Sequence, residues 1–163
     1  MLKDYGHVVK DDEETVKLAV RASEKTMDIC EFLWALDITR EAGEFPNLKI
    51  AYQSPCSMQH GQKINHQPVK LLQRFGFEVV PVPDAYACCG SAGTYNILQP
   101  EMAQKLGQIK NKNIESTQAN VIASGNLGCM LQLRQYSELP VLHTVELLDW
   151  ASGGPRPIEL RKL

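Results

Sequence analysis

From residue 48 onward the chain alternates short apolar runs with helical ones, and this alternation limits the fold more than any other feature. Leu48–Gln53, Phe77–Pro83, Asn120–Ser124 and Val141–His143 read as strands. Gln67–Phe75, Tyr95–Gln118, Leu127–Gln135 and Val145–Ala151 read as helices, the first stopping at Gly76 and the second interrupted at Pro100. Strands that alternate with helices predict an α/β fold, a mostly parallel sheet of about four strands flanked by helices. Ahead of it, residues 1–47 form an N-terminal helical arm. There Val16, Ala19, Val20, Ser23, Met27, Cys30 and Trp34 recur at helical steps, and one long helix is expected over 11–36 after the acidic start Asp11–Glu14. Gly43, Pro46 and Asn47 break the chain before the α/β domain, 48–152. Residues 153–163 leave as a tail opening on Gly153-Gly154-Pro155-Arg156-Pro157.

Composition narrows the function. The 163 residues are 44% hydrophobic and 22% charged, enough for a folded core without covalent staples. A net charge of −2 gives no electrostatic footprint for nucleic acid. No run of about 18 apolar residues predicts a membrane span, and Met1–His7 lacks the apolar core of a signal peptide. Five cysteines, at spacings unlike a secreted disulfide framework, fit a reducing compartment, so the expected location is cytoplasmic.

The cysteines are placed unevenly. Cys56 follows the first expected strand, Cys88 and Cys89 the second and Cys129 the third. In open α/β sheets, ligands collect at the carboxyl ends of the strands, so these four thiols are expected to meet at one edge. Gly90 and Gly93 let the backbone turn tightly beside Cys88-Cys89. Helix N-termini aimed at the same place would stabilise thiolate. Four thiolates suit an iron–sulfur cluster or a closed zinc site, and Cys88 or Cys89 with Cys129 also suits a thiol–disulfide pair. The long spacings require a whole domain to assemble the site, unlike the close pairs of a zinc ribbon. Cys30, on the stripe of the arm, reads as a small core hydrophobe.

Around these thiols, His60, His143 and Asn126 are candidate neighbours: His60 one helical turn after Cys56, His143 at a strand end, and Asn126 three residues before Cys129. Ser57, Ser124 and Tyr95 are candidate hydrogen-bond donors to sulfur, and Ser91 and Thr94 candidate helix caps. No Ser/His/Asp set, phosphate loop or paired carboxylate stands out, and no catalytic residue is assigned.

Three segments, Ser54-Pro55-Cys56-Ser57-Met58-Gln59-His60-Gly61, Cys88-Cys89-Gly90-Ser91-Ala92-Gly93-Thr94-Tyr95 and Ser124-Gly125-Asn126-Leu127-Gly128-Cys129, resemble the cysteine-rich CCG domain. That domain occurs in heterodisulfide reductases and in the electron-transfer subunits of several other complexes. The wording is most similar to the second such domain of glycolate oxidase iron–sulfur subunits, over about residues 1–150. The resemblance implies an iron–sulfur cluster on Cys56, Cys88, Cys89 and Cys129, with a 4Fe–4S cluster foremost and zinc as the alternative. It also implies a flavin-containing partner that oxidises glycolate, or lactate in a near variant. The chain would not be active alone, and would meet the membrane only through the complex. Asn126 stands where the fuller pattern has a fifth cysteine, which leaves the cluster type open. The ferredoxin-like section and first CCG domain of the resembling subunits are absent, so the chain resembles the C-terminal part of a longer protein.

Overall fold

A computed structural model describes residues 2–10, 12–39 and 48–161; the break expected at Gly43, Pro46 and Asn47 lies outside them. The chain divides into two compact units, 1–37 and 38–163.

In the first unit a short 3-10 turn, Leu2–Asp4, runs into α1 (Tyr5–Val8), followed by α2 (Glu13–Lys25) and α3 (Ile29–Ala35). The single long helix expected over 11–36 is therefore two helices. Asp28 is the reason: its carboxylate accepts from Cys30 N, and Glu31 reaches back to Asp28 N, a capping box that starts a new helix. Thr26 before it is extended, with φ −78° and ψ 122°. Asp12 caps α2 in the same way, accepting from Glu14 N and Thr15 N. Ser23 Oγ accepts from Gly6 N at 3.0 Å, which ties α1 to α2. Cys30 is buried, and burial pushes its thiol up to about 12, as expected of a core hydrophobe.

The second unit is the α/β domain. Its strands are β1 (Lys49–Gln53), β2 (Glu78–Val80), β3 (Val121–Ser124) and β4 (Val141–His143). They form an all-parallel sheet in the order β2-β1-β3-β4. Ile50, Ala51, Val121, Ile122, Ala123 and Leu142 are all fully buried, the continuous apolar pattern of strands covered on both faces. Helices supply the cover: α4 (Gln67–Arg74), α5 (Tyr95–Leu98), α6 (Pro100–Glu115), α7 (Leu127–Arg134) and α8 (Thr144–Ala151). Ala51 and Ile122 pack with Ile114 of α6 and with Met130 and Leu133 of α7, while α4 packs against α8. Cys89 and Cys129 belong to the α6–α7 cluster, which puts the thiol chemistry on that face of the sheet.

The helix ends follow from local chemistry. Pro68 opens α4, where its missing N–H is not needed, and Gly76 with φ +92° lets the chain leave it. Pro100 does the same for α6, so the interruption expected at Pro100 is the junction of α5 and α6. Among the described residues no helix is long and apolar enough to cross a membrane.

Candidate cysteine site

The strand order reverses between β1 and β3: β2 lies outside β1 and β4 outside β3. Segments leaving the carboxyl ends of β1 and β3 therefore diverge and open a crevice between them. Three cysteine-bearing segments come to this crevice.

The first leaves β1 through Ser54-Pro55 and places Cys56 at the head of a six-residue π-helical turn, Ser57–Gln62. Gln59 Nε2 donates to Ser54 O at 2.7 Å, and Pro55 O accepts from both Met58 N and Gln59 N at 3.0 Å. These bonds hold the wide turn in shape, and Lys63 ends it with φ +60°.

The second follows β2. Ala87 N donates to Asp84 O at 2.9 Å, and the chain then runs through Cys88 and Cys89 to Gly90, at φ +89°. Gly90 N donates to Cys88 Sγ at 3.3 Å. A Cβ on Gly90 would lie 2.4 Å from Ala103 O, so the absence of a side chain is what lets this turn rest on α6. The third segment is the start of α7, where Asn126 Oδ1 accepts from Cys129 N at 3.1 Å. Gly128 has Ser91 Oγ only 2.8 Å from where its Cβ would stand, which brings the second and third segments together.

Cys56, Cys88, Cys89 and Cys129 all line one cavity of about 320 Å³, together with Ser91 and Asn126 among others. Cys89 and Cys129 form its buried side, and Cys56 and Cys88 are half-exposed. All five cysteines of the chain are free thiols. Cys56 with Cys88, and Cys89 with Cys129, stand near enough to alter one another's titration.

The thiols do not titrate alike. The hydrogen bond from Cys129, followed by bonds from backbone amides, brings Cys89 down to about 6 despite its burial. Cys129, the donor in that bond, is pushed up, with burial adding to the effect. Burial and the neighbouring Cys88 push Cys56 up as well. Helix N-termini were expected to favour thiolate at this site, and the start of α7 does not do so at Cys129. The reason it does not is crowding: the pair releases one proton readily, and the second would place two negative charges side by side. Within the inner pair, the surroundings favour the thiolate at Cys89 and the thiol at Cys129.

This has a measurable consequence. The ultraviolet absorbance of thiolate in the metal-free chain should show one step near pH 6, absent in Cys89→Ser. Because folding lowers the Cys89 pKa, its contribution to stability is full above the ordinary thiol range. That contribution is lost as the pH falls through about 6.

The other candidates separate. Asn126 lines the cavity and caps α7. Ser57 lines it too, from an exposed position. His60 lies exposed on the π-helical turn, outside the cavity lining. His143 caps α8: its Nδ1 accepts from Val145 N at 3.2 Å, while Glu146 accepts from His143 N at 2.7 Å, and it does not line the cavity either. Ser124 is fully buried at the end of β3 with its hydroxyl unpartnered, and neither it nor Tyr95 reaches the lining. Thr94 takes the cap position of α5 without a side-chain bond, and Ser91 faces the cavity. Sequence reasoning missed Lys110, fully buried on α6 and electrostatically coupled to Cys89, Cys56 and Cys88. Its signal was a lysine on the inward stripe of that helix, with Ala103, Gly107 and Ile114.

The donor set favours some groups over others. Four sulfurs with no competing carboxylate in the lining suit a soft metal. A single tetrahedral zinc, with Zn–S near 2.3 Å, needs its sulfurs about 3.8 Å apart around one point. Among the described residues, no group of three or more His, Cys, Asp or Glu side chains is placed to hold a single metal ion. Thiols spaced around a cavity of this size suit a larger, multi-atom group better.

A parallel α/β sheet with thiols at a strand-order reversal defines a cysteine-rich α/β domain, and the comparison with known families agrees. Residues 50–134 match the family model of the CCG cysteine-rich domain, more than half of the chain, and the chain belongs to that family. It is 35% identical over 150 residues to the glycolate oxidase iron–sulfur subunit of Escherichia coli, covering 92% of this chain and 37% of that protein. A probable glycolate oxidase iron–sulfur subunit of Bacillus subtilis is 32% identical over 162 residues, covering 93% of this chain and 36% of the relative. The lactate utilization protein A of Oceanobacillus iheyensis is 28% identical over 160 residues, covering 94% and 66%. The chain thus spans little more than a third of the glycolate oxidase relatives and about two thirds of the lactate one.

Proposed function

We propose that this chain binds an iron–sulfur cluster through Cys56, Cys88, Cys89 and Cys129, as part of the electron-transfer subunit of a glycolate- or lactate-oxidising complex. The observation that carries the reading is that three separate strand-end segments bring four free thiols to one cavity. The names of the relatives support the class of cluster and of complex. A 4Fe–4S cluster is the form we favour, since four thiolates complete its ligand set. Such a cluster, when bound, supplies reversible one-electron storage.

The residues of the chain have distinct tasks. Cys89, the thiol whose ionised form its surroundings favour most, gives up its proton to a metal most readily. Cys129 is its inner neighbour, and Cys56 and Cys88 close the solvent side. Gly90 N, donating to Cys88 Sγ, is the kind of backbone bond that raises a cluster's potential. Dehydrogenation of the substrate would fall to a flavin-containing partner, with a quinone or another carrier as final acceptor, and location would be cytoplasmic or at the membrane face through the complex.

Anaerobic reconstitution with ferrous iron and sulfide tests this. A brown protein with iron and acid-labile sulfide in equal amounts is expected. Colourless protein with one zinc per chain would replace the reading with a structural metal site. The bond between Cys89 and Cys129 favours one further reading, a thiol–disulfide pair. A metal-free chain whose Cys89 and Cys129 cycle reversibly to a disulfide would establish it.

A further inference from the structure

Lys110 lies under the cysteine segment with none of its surface exposed. Its Nζ donates to Asp84 O at 2.8 Å and to Ala85 O at 3.2 Å, the two carbonyls that begin the arm leading to Cys88. No ion pair links it to a carboxylate among the described residues. A buried ammonium held only by neutral carbonyls is costly unless negative charge stands nearby. Three cysteines of the cavity are among the groups whose charge reaches it: Cys89, then Cys56 and Cys88, with exposed Asp84 between them in strength.

We propose that Lys110 is a positioning residue whose buried ammonium is the fixed counter-charge of the cysteine cavity, while its two hydrogen bonds hold the arm that carries Cys88 and Cys89. A group bound by four thiolates carries net negative charge, and reduction makes it more negative. A cation fixed beneath it favours both binding and the reduced form. The same charge makes the empty cavity attractive to anions, and this part of the inference does not depend on the iron–sulfur reading.

Two measurements on the full chain separate charge from bracing. In the metal-free protein, Cys56 and Cys88 are half-exposed and open to reagents. The rate with iodoacetate, an anion, is compared with that of neutral iodoacetamide. Lys110→Gln keeps a donor for the carbonyls and loses the charge, Lys110→Met loses both, and Lys110→Arg keeps the charge. The iodoacetate-to-iodoacetamide ratio should fall about threefold or more in the Gln and Met variants and hold in the Arg variant.

In the reconstituted protein, the Gln variant should lower the reduction equilibrium constant by about tenfold, which is about 59 mV for a one-electron couple. The Arg variant should stay near the parent. If Lys110→Gln does not fold, Lys110→Met set against Lys110→Arg compares charge lost with charge kept, since an apolar side chain of similar length often replaces a buried charge without loss of stability. An unchanged reagent ratio and unchanged potential in folded Gln or Met variants would overturn the proposal and leave Lys110 a mechanical brace. Failure of the parent to take up iron would count against the iron–sulfur reading alone, because the reagent ratio would still decide the role of Lys110.

Discussion

Replacing Cys89 by serine should reduce iron in the reconstituted chain to background, while Cys30→Ser leaves loading at the parental level. The contrast rests on where the two thiols stand. Cys89 lines the cavity, has its thiolate favoured by Cys129, and feels the charge of Lys110. Serine offers a hydroxyl that stays protonated and binds soft metals poorly. Cys30 is just as buried but belongs to the helical arm, where its thiol is held neutral. Iron and labile sulfide assays with a thermal melt of each variant check both halves. Equal iron loss in the two variants would overturn the assignment of Cys30 to the core of the arm.

Gly90→Ala should have a large effect on stability, about 3 kcal/mol or more. Two penalties act together there. At φ +89° an L-residue is strained by about 1–2 kcal/mol. The new Cβ would also stand 2.4 Å from Ala103 O, a backbone atom in the first turns of α6 that has no rotamer by which to yield. The turn must lift off α6, and Cys88 and Cys89 move with it. Urea denaturation should show a lower midpoint at unchanged slope, and iron uptake should fall in the same variant. Gly93→Ala is a useful contrast: nothing stands within 4 Å of its Cβ position, so only the backbone strain at φ +64° remains.

The fold was legible because its signals are local and repeated. Each strand is a short β-rich run, buried in β1 and β3, and the α4 and α6 helices are punctuated by proline or glycine at the place geometry requires. The thiol edge was legible for a related reason: a parallel sheet sends every strand's carboxyl end to the same side, so cysteines just past those ends meet by topology. Charge inside the cavity was not legible. Whether Cys129 is thiol or thiolate depends on its bond to Cys89, a contact between distant parts of the chain that no pattern announces. His143 misled for the opposite reason. A strand end is also a helix beginning, and the imidazole serves the helix. Asn126, standing where the fuller CCG pattern has cysteine, has a physical account in its cap on α7. The long helix failed at Asp28 because an apolar stripe can continue across a break that one capping box imposes.

The reversal of strand order between β1 and β3 also governs when the binding pocket comes into being. Its walls come from residues 55–57, 88–93 and 126–129, so no nascent fragment shorter than this span can present all four thiols, and distant pairing makes such closure slow. On the proposed reading, delivery of a cofactor would follow folding of this span, and the outer thiols, Cys56 and Cys88, would be the first a carrier touches. The scaffold beneath can stay constant while loop substitutions alone retune what it carries.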